Sequence, residues 1–275
     1  MKSLNASFIV FYQFDHPDRE RNLNILIDFI NKSYIDFEIV VVQQYKSAEQ
    51  RNQLPTPDFL KRNYVKHIII EEDNRFFNKL NGYNIGAKNA KHSILIFNDV
   101  DVIFGPENVI ECVGKVVENK NLLFQPNDPH VIDVKPHAIE IFKKELTYEC
   151  LKNFIGKHYG ELGRENSNVK ILNVGSTGGG LIVDKDTLFT KLKGFNPYFR
   201  GWGFEDDETM YRFEKLGYPI KRMVGFKPMF HLYHREARRT PGNENIFWDD
   251  NRNLKEKIIK MPKEDLIEYM KTWNN

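Results

Sequence analysis

Three short stretches of this chain carry side chains able to do chemistry at useful spacings. The first is Asn98-Asp99-Val100-Asp101-Val102, which follows the apolar run Ile94-Leu95-Ile96-Phe97 and so falls where a buried strand ends. In open α/β sheets that edge is where ligands bind. Carboxylates one residue apart point to the same side of extended backbone, and such oxygen donors suit a hard divalent cation, Mn²⁺ or Mg²⁺. A bare Asp-x-Asp also occurs in solvated turns, so the pair acquires weight only from its company. The second stretch supplies that company: Gly201-Trp202-Gly203-Phe204 runs into Glu205-Asp206-Asp207-Glu208. Four adjacent carboxylates repel one another, whereas a carboxylate beside a glycine-flanked indole suits a flat, hydroxyl-rich ligand. Asp207 and Glu208 are expected to do no more than open a helix, whose N-terminal dipole favours acids. The third stretch is Met229-Phe230-His231-Leu232-Tyr233-His234, where His-x-x-His can bring one ring or both to an ion already held by carboxylates. Around it lie Lys221, Arg222, Lys227, Arg235, Arg238 and Arg239 against a single acid, Glu236, a composition that could neutralise a diphosphate or merely be a solvated basic loop.

Strands and helices must position these groups. Phe8 to Tyr12 is β-branched and aromatic; after the turn at His16-Pro17-Asp18, Leu23, Leu26, Ile27 and Ile30 recur at helical spacing. Phe37 to Val42, His67 to Ile70 and Ile94 to Phe97 read as further strands, with a helix through Leu80, Ala87 and Ala90 before the last. This alternation predicts an α/β protein with a mostly parallel central sheet covered by helices on both faces. Residues 106–170 give no clear pattern. Asn173 to Gly180 precedes a short strand, Leu181 to Val183, followed by a helix from Asp186 to Leu192 that stops at Gly194, and the last helix presents Leu266, Met270 and Trp273 on one side. No linker or repeat interrupts the chain, so 1–275 is expected to be one domain, its halves meeting near residue 105.

Composition narrows the partners. With 275 residues, 41% hydrophobic and 28% charged, the chain has ordinary globular content, and a net charge of +2 gives no reason to expect nucleic acid. Cys112 and Cys150 show no metal or redox spacing and read as core residues in a reducing compartment. Met1 to Ala6 leads into a strand-like run interrupted by Gln13 and Asp15, so neither signal peptide nor transmembrane helix is expected. The expected location is the cytoplasm, with docking on the inner membrane limited to peripheral association. Neither GxGxxG after the first strand nor GxxxxGK[ST] is present, so a bound nucleotide must be held by other means.

Taken together, Asp99-Val100-Asp101, Trp202-Gly203-Phe204-Glu205-Asp206-Asp207 and His234 resemble the motifs of the β-1,4-galactosyltransferase-type and bacterial chondroitin-polymerase-like glycosyltransferases of the GT-A fold. Phe77-Asn78-Lys79 with Asn84-Ile85-Gly86 is similar to the nucleotide-holding segment of that family, which usually has arginine where Lys79 stands, and Thr177 to Gly180 resembles the glycine-rich turn lining its sugar pocket. The likeness runs over roughly residues 7–105 and 171–250. It implies a GT-A fold and transfer of a hexose or N-acetylhexosamine from a UDP-sugar to a glycan or glycolipid acceptor, with inversion. Residue by residue, it implies Mn²⁺ (or Mg²⁺) on Asp101 and His234, with His231 left open as a further ligand. It further implies Asp206 as base, Glu205 orienting sugar hydroxyls, and Phe77, Lys79, Asp99, Gly179, Trp202 and Arg239 around the donor. Trp202 between two glycines suggests a flap. Two alternatives stay open: a retaining GT-A transferase, although those similar to the polypeptide N-acetylgalactosaminyltransferases usually lack the second acid of Glu205-Asp206, and a catalytically silent sugar-nucleotide-binding module.

Overall fold

The computed structural model describes residues 2–54, 57–70, 76–155, 166–235 and 245–273. Its first half alternates as expected: β1 (Lys2–Gln13), α1 (Pro17–Ser33), β2 (Tyr34–Gln44), a short α2 (Ala48–Gln53), β3 (Val65–Ile69), α3 (Lys79–Asn89) and β4 (Ile94–Asn98). Local chemistry explains the boundaries. His16 caps α1 by accepting the Asp18 amide at 3.2 Å, Pro17 opens the helix where its missing N–H costs nothing, and Asp18 and Glu20 occupy the positive end of the helix dipole. Leu23, Leu26, Ile27 and Ile30, spaced three and four apart, are buried together.

The second half holds β5 (Val102–Ile103), α4 (Pro106–Glu118), β6 (Leu123–Gln125), β7 (His130–Val134), α5 (Pro136–Glu145), α6 (Tyr148–Ile155), β8 (Val169–Val174), β9 (Gly180–Asp184), α7 (Glu205–Leu216), β10 (Ile220–Arg222), β11 (Met229–Leu232), α8 (Trp248–Lys260) and α9 (Lys263–Met270). The described residues of 106–170 are therefore structured; the two strands wholly among them, β6 and β7, are three and five residues long, too short to show a period. Asn173 and Val174 end strand β8, and the segment expected as a helix from Asp186 to Leu192 is a single widened helical turn over Thr187–Lys191 that closes at Gly194, whose φ is +73°. Leu266, Met270 and Trp273 are buried, as their spacing predicts, and both cysteines are buried thiols.

The strands form two sheets. The larger runs β10-β6-β9-β4-β1-β2-β3 and is mostly parallel, with β9 antiparallel to both β4 and β6. Strands from both sides of residue 105 thus share one sheet. The smaller runs β5-β11-β7-β8 and packs within the same apolar cluster as α1, α4, α5 and one face of the large sheet. The opposite face of the large sheet is covered by α3, α7, α8 and α9. Helix α3 lies unusually close to β1: a Cβ on Gly82 would stand 2.0 Å from Phe11 and one on Gly86 2.5 Å from Ile9, so only glycine permits the approach. That contact fixes the two functional side chains of α3, Lys79 and Tyr83, over the end of the sheet.

Helix α7 is anchored by charge. Arg212, fully buried, donates to Glu208 at 2.7 Å and to the carbonyls of Leu192 and Gly194 at 2.8 and 3.1 Å, with its guanidinium plane over Phe213 and Trp273. A buried arginine is tolerable here because carboxylate, carbonyls and ring faces replace its hydration.

Candidate functional site

The chain leaves β4 into a turn that separates its two acids. Asn98 donates from its side chain to the carbonyls of Asp99 at 2.7 Å and Val102 at 2.9 Å, while the Val102 amide bonds the Asp99 carbonyl at 3.2 Å. The Asp99 amide is pinned in turn to the Gly179 carbonyl at 3.1 Å. Extended backbone would have sent both carboxylates the same way; the turn corrects that expectation. Asp99 meets α3, accepting from the Tyr83 hydroxyl at 2.7 Å with Lys79 at 3.8 Å, whereas Asp101 faces β11.

On the β11 side, Asp101 lies beside both histidines: His234 Nε2 is 3.1 Å from its Oδ2 and His231 Nε2 is 3.9 Å from its Oδ1. Strand pairing produces this. His231 is opposite Val102 in the antiparallel β5–β11 ladder, and the Leu232 amide bonds the Asp101 carbonyl at 2.7 Å. The chain beyond β11 is held by α1, where Asn22 donates to the Leu232 carbonyl at 2.8 Å and Asp18 accepts the Arg235 amide at 3.1 Å. Among the described residues, Asp101, His231 and His234 offer one ligand atom each within 4.8 Å of one another. One carboxylate oxygen and two imidazole nitrogens, two of the three side chains nearly sealed from solvent, form a donor set that fits Mn²⁺ or a similar divalent ion. Arg19, which sequence reasoning did not pick out, donates to Asp101 at 2.9 Å. Burial pushes the Asp101 carboxyl up, but His231, His234 and Arg19 together hold it well below the usual carboxylate range.

On the α3 side, the four acids of α7 each find a separate partner. Glu205 accepts the Gly203 amide at 2.7 Å and lies 3.4 Å from Lys79; Asp206 takes both oxygens to Lys79, at 3.0 and 3.2 Å; Asp207 accepts the Thr177 hydroxyl at 2.8 Å; Glu208 is the buried partner of Arg212. The run does open a helix, as expected, yet Asp207 and Glu208 also hold tertiary contacts. Phe204 precedes it at φ +69°, between Gly203 at +113° and the helix, so the chain enters α7 through left-handed backbone that the glycines make accessible. Lys79 is buried among Asp206, Glu205 and Asp99, and those carboxylates outweigh its desolvation and raise its pKa. Asp206 is pushed up to about 7, first by burial and then by the charges of Glu205 and Asp99, against the pull of Lys79. Gly178 lies directly against it: a Cβ there would stand 2.4 Å from Asp206 Oδ2. Gly179, at φ +99°, faces Met229 in the same way, and a small cleft on the α3 side is lined by Lys79, Asp99, Gly178, Gly179 and Asp206.

Trp202 is 44% exposed and stacks on Trp248 with ring centroids 5.7 Å apart, while Asn245 donates to its carbonyl and Asn251 bonds the Arg200 and Gly203 carbonyls. Phe77 packs edge-on against Phe11 at 5.0 Å, just before Asn78 caps α3. Only part of the basic cluster lies among the described residues. Arg222 bonds the Ser176 carbonyl and Lys227 the Asn108 side chain, whereas Arg238 and Arg239 lie outside the described residues.

A family model described as the N-terminal domain of galactosyltransferase matches residues 162–235, the stretch that contains the glycine turn, the acidic run and both histidines. A solved structure described as the crystal structure of GalNAc-T7 with UDP, GalNAc and Mn²⁺ superposes with a TM-score of 0.56 over 97% of this chain at 15% identity. The fold is that of a GT-A glycosyltransferase. The chain spans 54% of the length of that GalNAc-T7 chain, and no curated protein sequence matches it. The GT-A architecture accounts for the site's location: turn, glycine-rich segment and acidic helix meet at the carboxyl edge of the large sheet.

Proposed function

We propose that this chain is a metal-dependent, inverting glycosyltransferase that moves a hexose or N-acetylhexosamine from a UDP-sugar to a hydroxyl of a glycan or glycolipid. The observation that carries the reading is one turn serving two clusters: Asp101 with His231 and His234 on one side, Asp99 with Lys79 and Asp206 on the other. The family match and the Mn²⁺ and UDP of the GalNAc-T7 structure support it. Asp101, His234 and His231 would hold Mn²⁺, which when bound supplies Lewis-acid neutralisation of a diphosphate leaving group. Asp99, Phe77, Lys79, Gly179 and Trp202 border the donor, and Arg239 is assigned to its diphosphate.

Asp206 takes the proton of the acceptor hydroxyl as that oxygen forms its bond to the anomeric carbon, and the anomeric carbon–oxygen bond to UDP breaks on the opposite face with the electron pair leaving on the phosphate. A carboxyl raised to about 7 is better matched to this work than an ordinary aspartate. Glu205, tied to the Gly203 amide, orients donor or acceptor hydroxyls and couples the Trp202 turn to α7. The Trp202 turn closes over the donor before the acceptor binds, and acceptor binding at full affinity without UDP-sugar and metal would rule out that order.

A screen of UDP-sugars with Mn²⁺, reading UDP release and then the anomeric configuration of the product, tests the proposal. Inverted product supports it; retained configuration would replace it with the retaining alternative. UDP and Mn²⁺ binding without turnover on any donor and acceptor pair would leave a silent binding module.

A further inference from the structure

Both imidazoles of the metal cluster have a second nitrogen, and in each case an oxygen holds it. His234 Nδ1 is 3.1 Å from the Arg235 carbonyl, and His231 Nδ1 is 2.7 Å from Asp133 Oδ1. A carbonyl or carboxylate oxygen can only accept, so each Nδ1 carries a hydrogen, and each Nε2, turned towards Asp101, is the nitrogen left to bind an ion once it gives up any hydrogen it shares with that carboxylate. The two rings are fixed by different means. His234 uses the backbone next to it, which no substitution removes; His231 depends on a side chain from another strand.

That strand is β7, in the part of the chain whose sequence announced no chemistry. His231 is in register with Asp133 across the parallel β11–β7 pair and with Val102, next to Asp101, across the antiparallel β11–β5 pair. Register therefore sets Asp133 beside His231 on one face, and Asp101, in the turn one residue before Val102, lies on the ring's other side, 3.9 Å from Nε2. Asp133 is itself largely enclosed, its side chain 14% exposed, as a carboxylate must be if its bond to the ring is not to be traded for water.

Resting on the metal-centre reading, we infer that Asp133 is a positioning residue for that centre: it holds His231 in the tautomer and orientation that present Nε2 to the ion. It acts through His231 and needs no contact with the ion or the sugar. Without it the ring could rotate or carry its hydrogen on Nε2, and His231 would stop being a ligand. Partners of this kind contribute about 10- to 100-fold to metal affinity.

The test is Mn²⁺ affinity of the full chain without nucleotide, measured by titration calorimetry and by the loss of free Mn²⁺ in electron paramagnetic resonance. Asp133→Ala is expected to weaken binding about 10- to 100-fold and Asp133→Asn, which can still accept from Nδ1, by less. In a His231→Ala background neither change should weaken it further. Unaltered affinity in Asp133→Ala, or an equal loss with and without His231, overturns the inference. Where Asp133→Ala does not fold, ¹⁵N NMR of the metal-free wild type, at a pH where the His231 ring is neutral, decides: its single hydrogen on Nδ1 supports the assignment, and on Nε2 overturns it. Failure of the metal-centre reading is distinguishable, because wild-type chain would then bind no Mn²⁺, or bind it equally after Asp101→Ala, which overturns both.

Discussion

At the scale of single residues, the proposed chemistry turns on how Lys79 and its carboxylates share charge. Replacing Asp206 with asparagine keeps its shape and removes the base, so kcat should fall by about 10²- to 10⁴-fold with folding intact, as measured by UDP release and circular dichroism. Because Asp206 is held up to about 7, the wild-type rate should climb with pH through that region as the carboxyl loses its proton, and the Asp206→Asn variant should lack that limb. Lys79 pulls in the other direction. With Lys79→Met, burial and the neighbouring acids act unopposed, and the limb should move to higher pH; a shift to lower pH would show that Lys79 does not set the basicity of Asp206. The ammonium of Lys79, a residue expected at the nucleotide, is enclosed by three carboxylates from α3's neighbours, an arrangement that residue type alone does not announce.

At the scale of elements, helix α7 and the glycine turn before β9 have to agree on where Asp206 stands. Gly178→Ala puts a methyl where Asp206 Oδ2 lies, 2.4 Å from the Cβ position, and a side-chain end can swing away where backbone could not. The expected outcome is lost turnover with little change in melting temperature; a variant that kept wild-type kcat would separate the turn from the base. Arg212→Leu is the opposite case. It strands Glu208, fully buried, without its cation, and removes the donors to Leu192 and Gly194, so stability should fall by about 3–5 kcal/mol in chemical denaturation. Sequence spacing located the start of α7 and the end of β4. It misjudged the turn after β4, because the bonds that bend it come from Asn98 and from Gly179, eighty residues on in the chain.

At the scale of the whole molecule, the metal cluster joins β5, the end of β11 and the turn beyond it, so an ion bound there favours the folded chain over the unfolded one, whose ligands are scattered. At about a hundredfold excess over its Kd, Mn²⁺ should add about 2.7 kcal/mol of stability, seen as a raised melting temperature that Asp101→Ala abolishes. Among the described residues no helix is long and apolar enough to cross a membrane. The sequence by itself determined the α/β alternation, the large sheet's leading strands and the acidic helix start, and it made Asp101, His231 and His234 candidate ligands, because periodicity and residue chemistry are local properties. Only the tertiary structure decided that Asp99 and Asp101 part company, that Asp206 and Asp207 reach Lys79 and Thr177, and that Asp133 reaches His231. Those facts depend on strand register and on contacts between residues far apart in the chain, and a three-residue strand such as β6 is too short to announce its neighbours in advance.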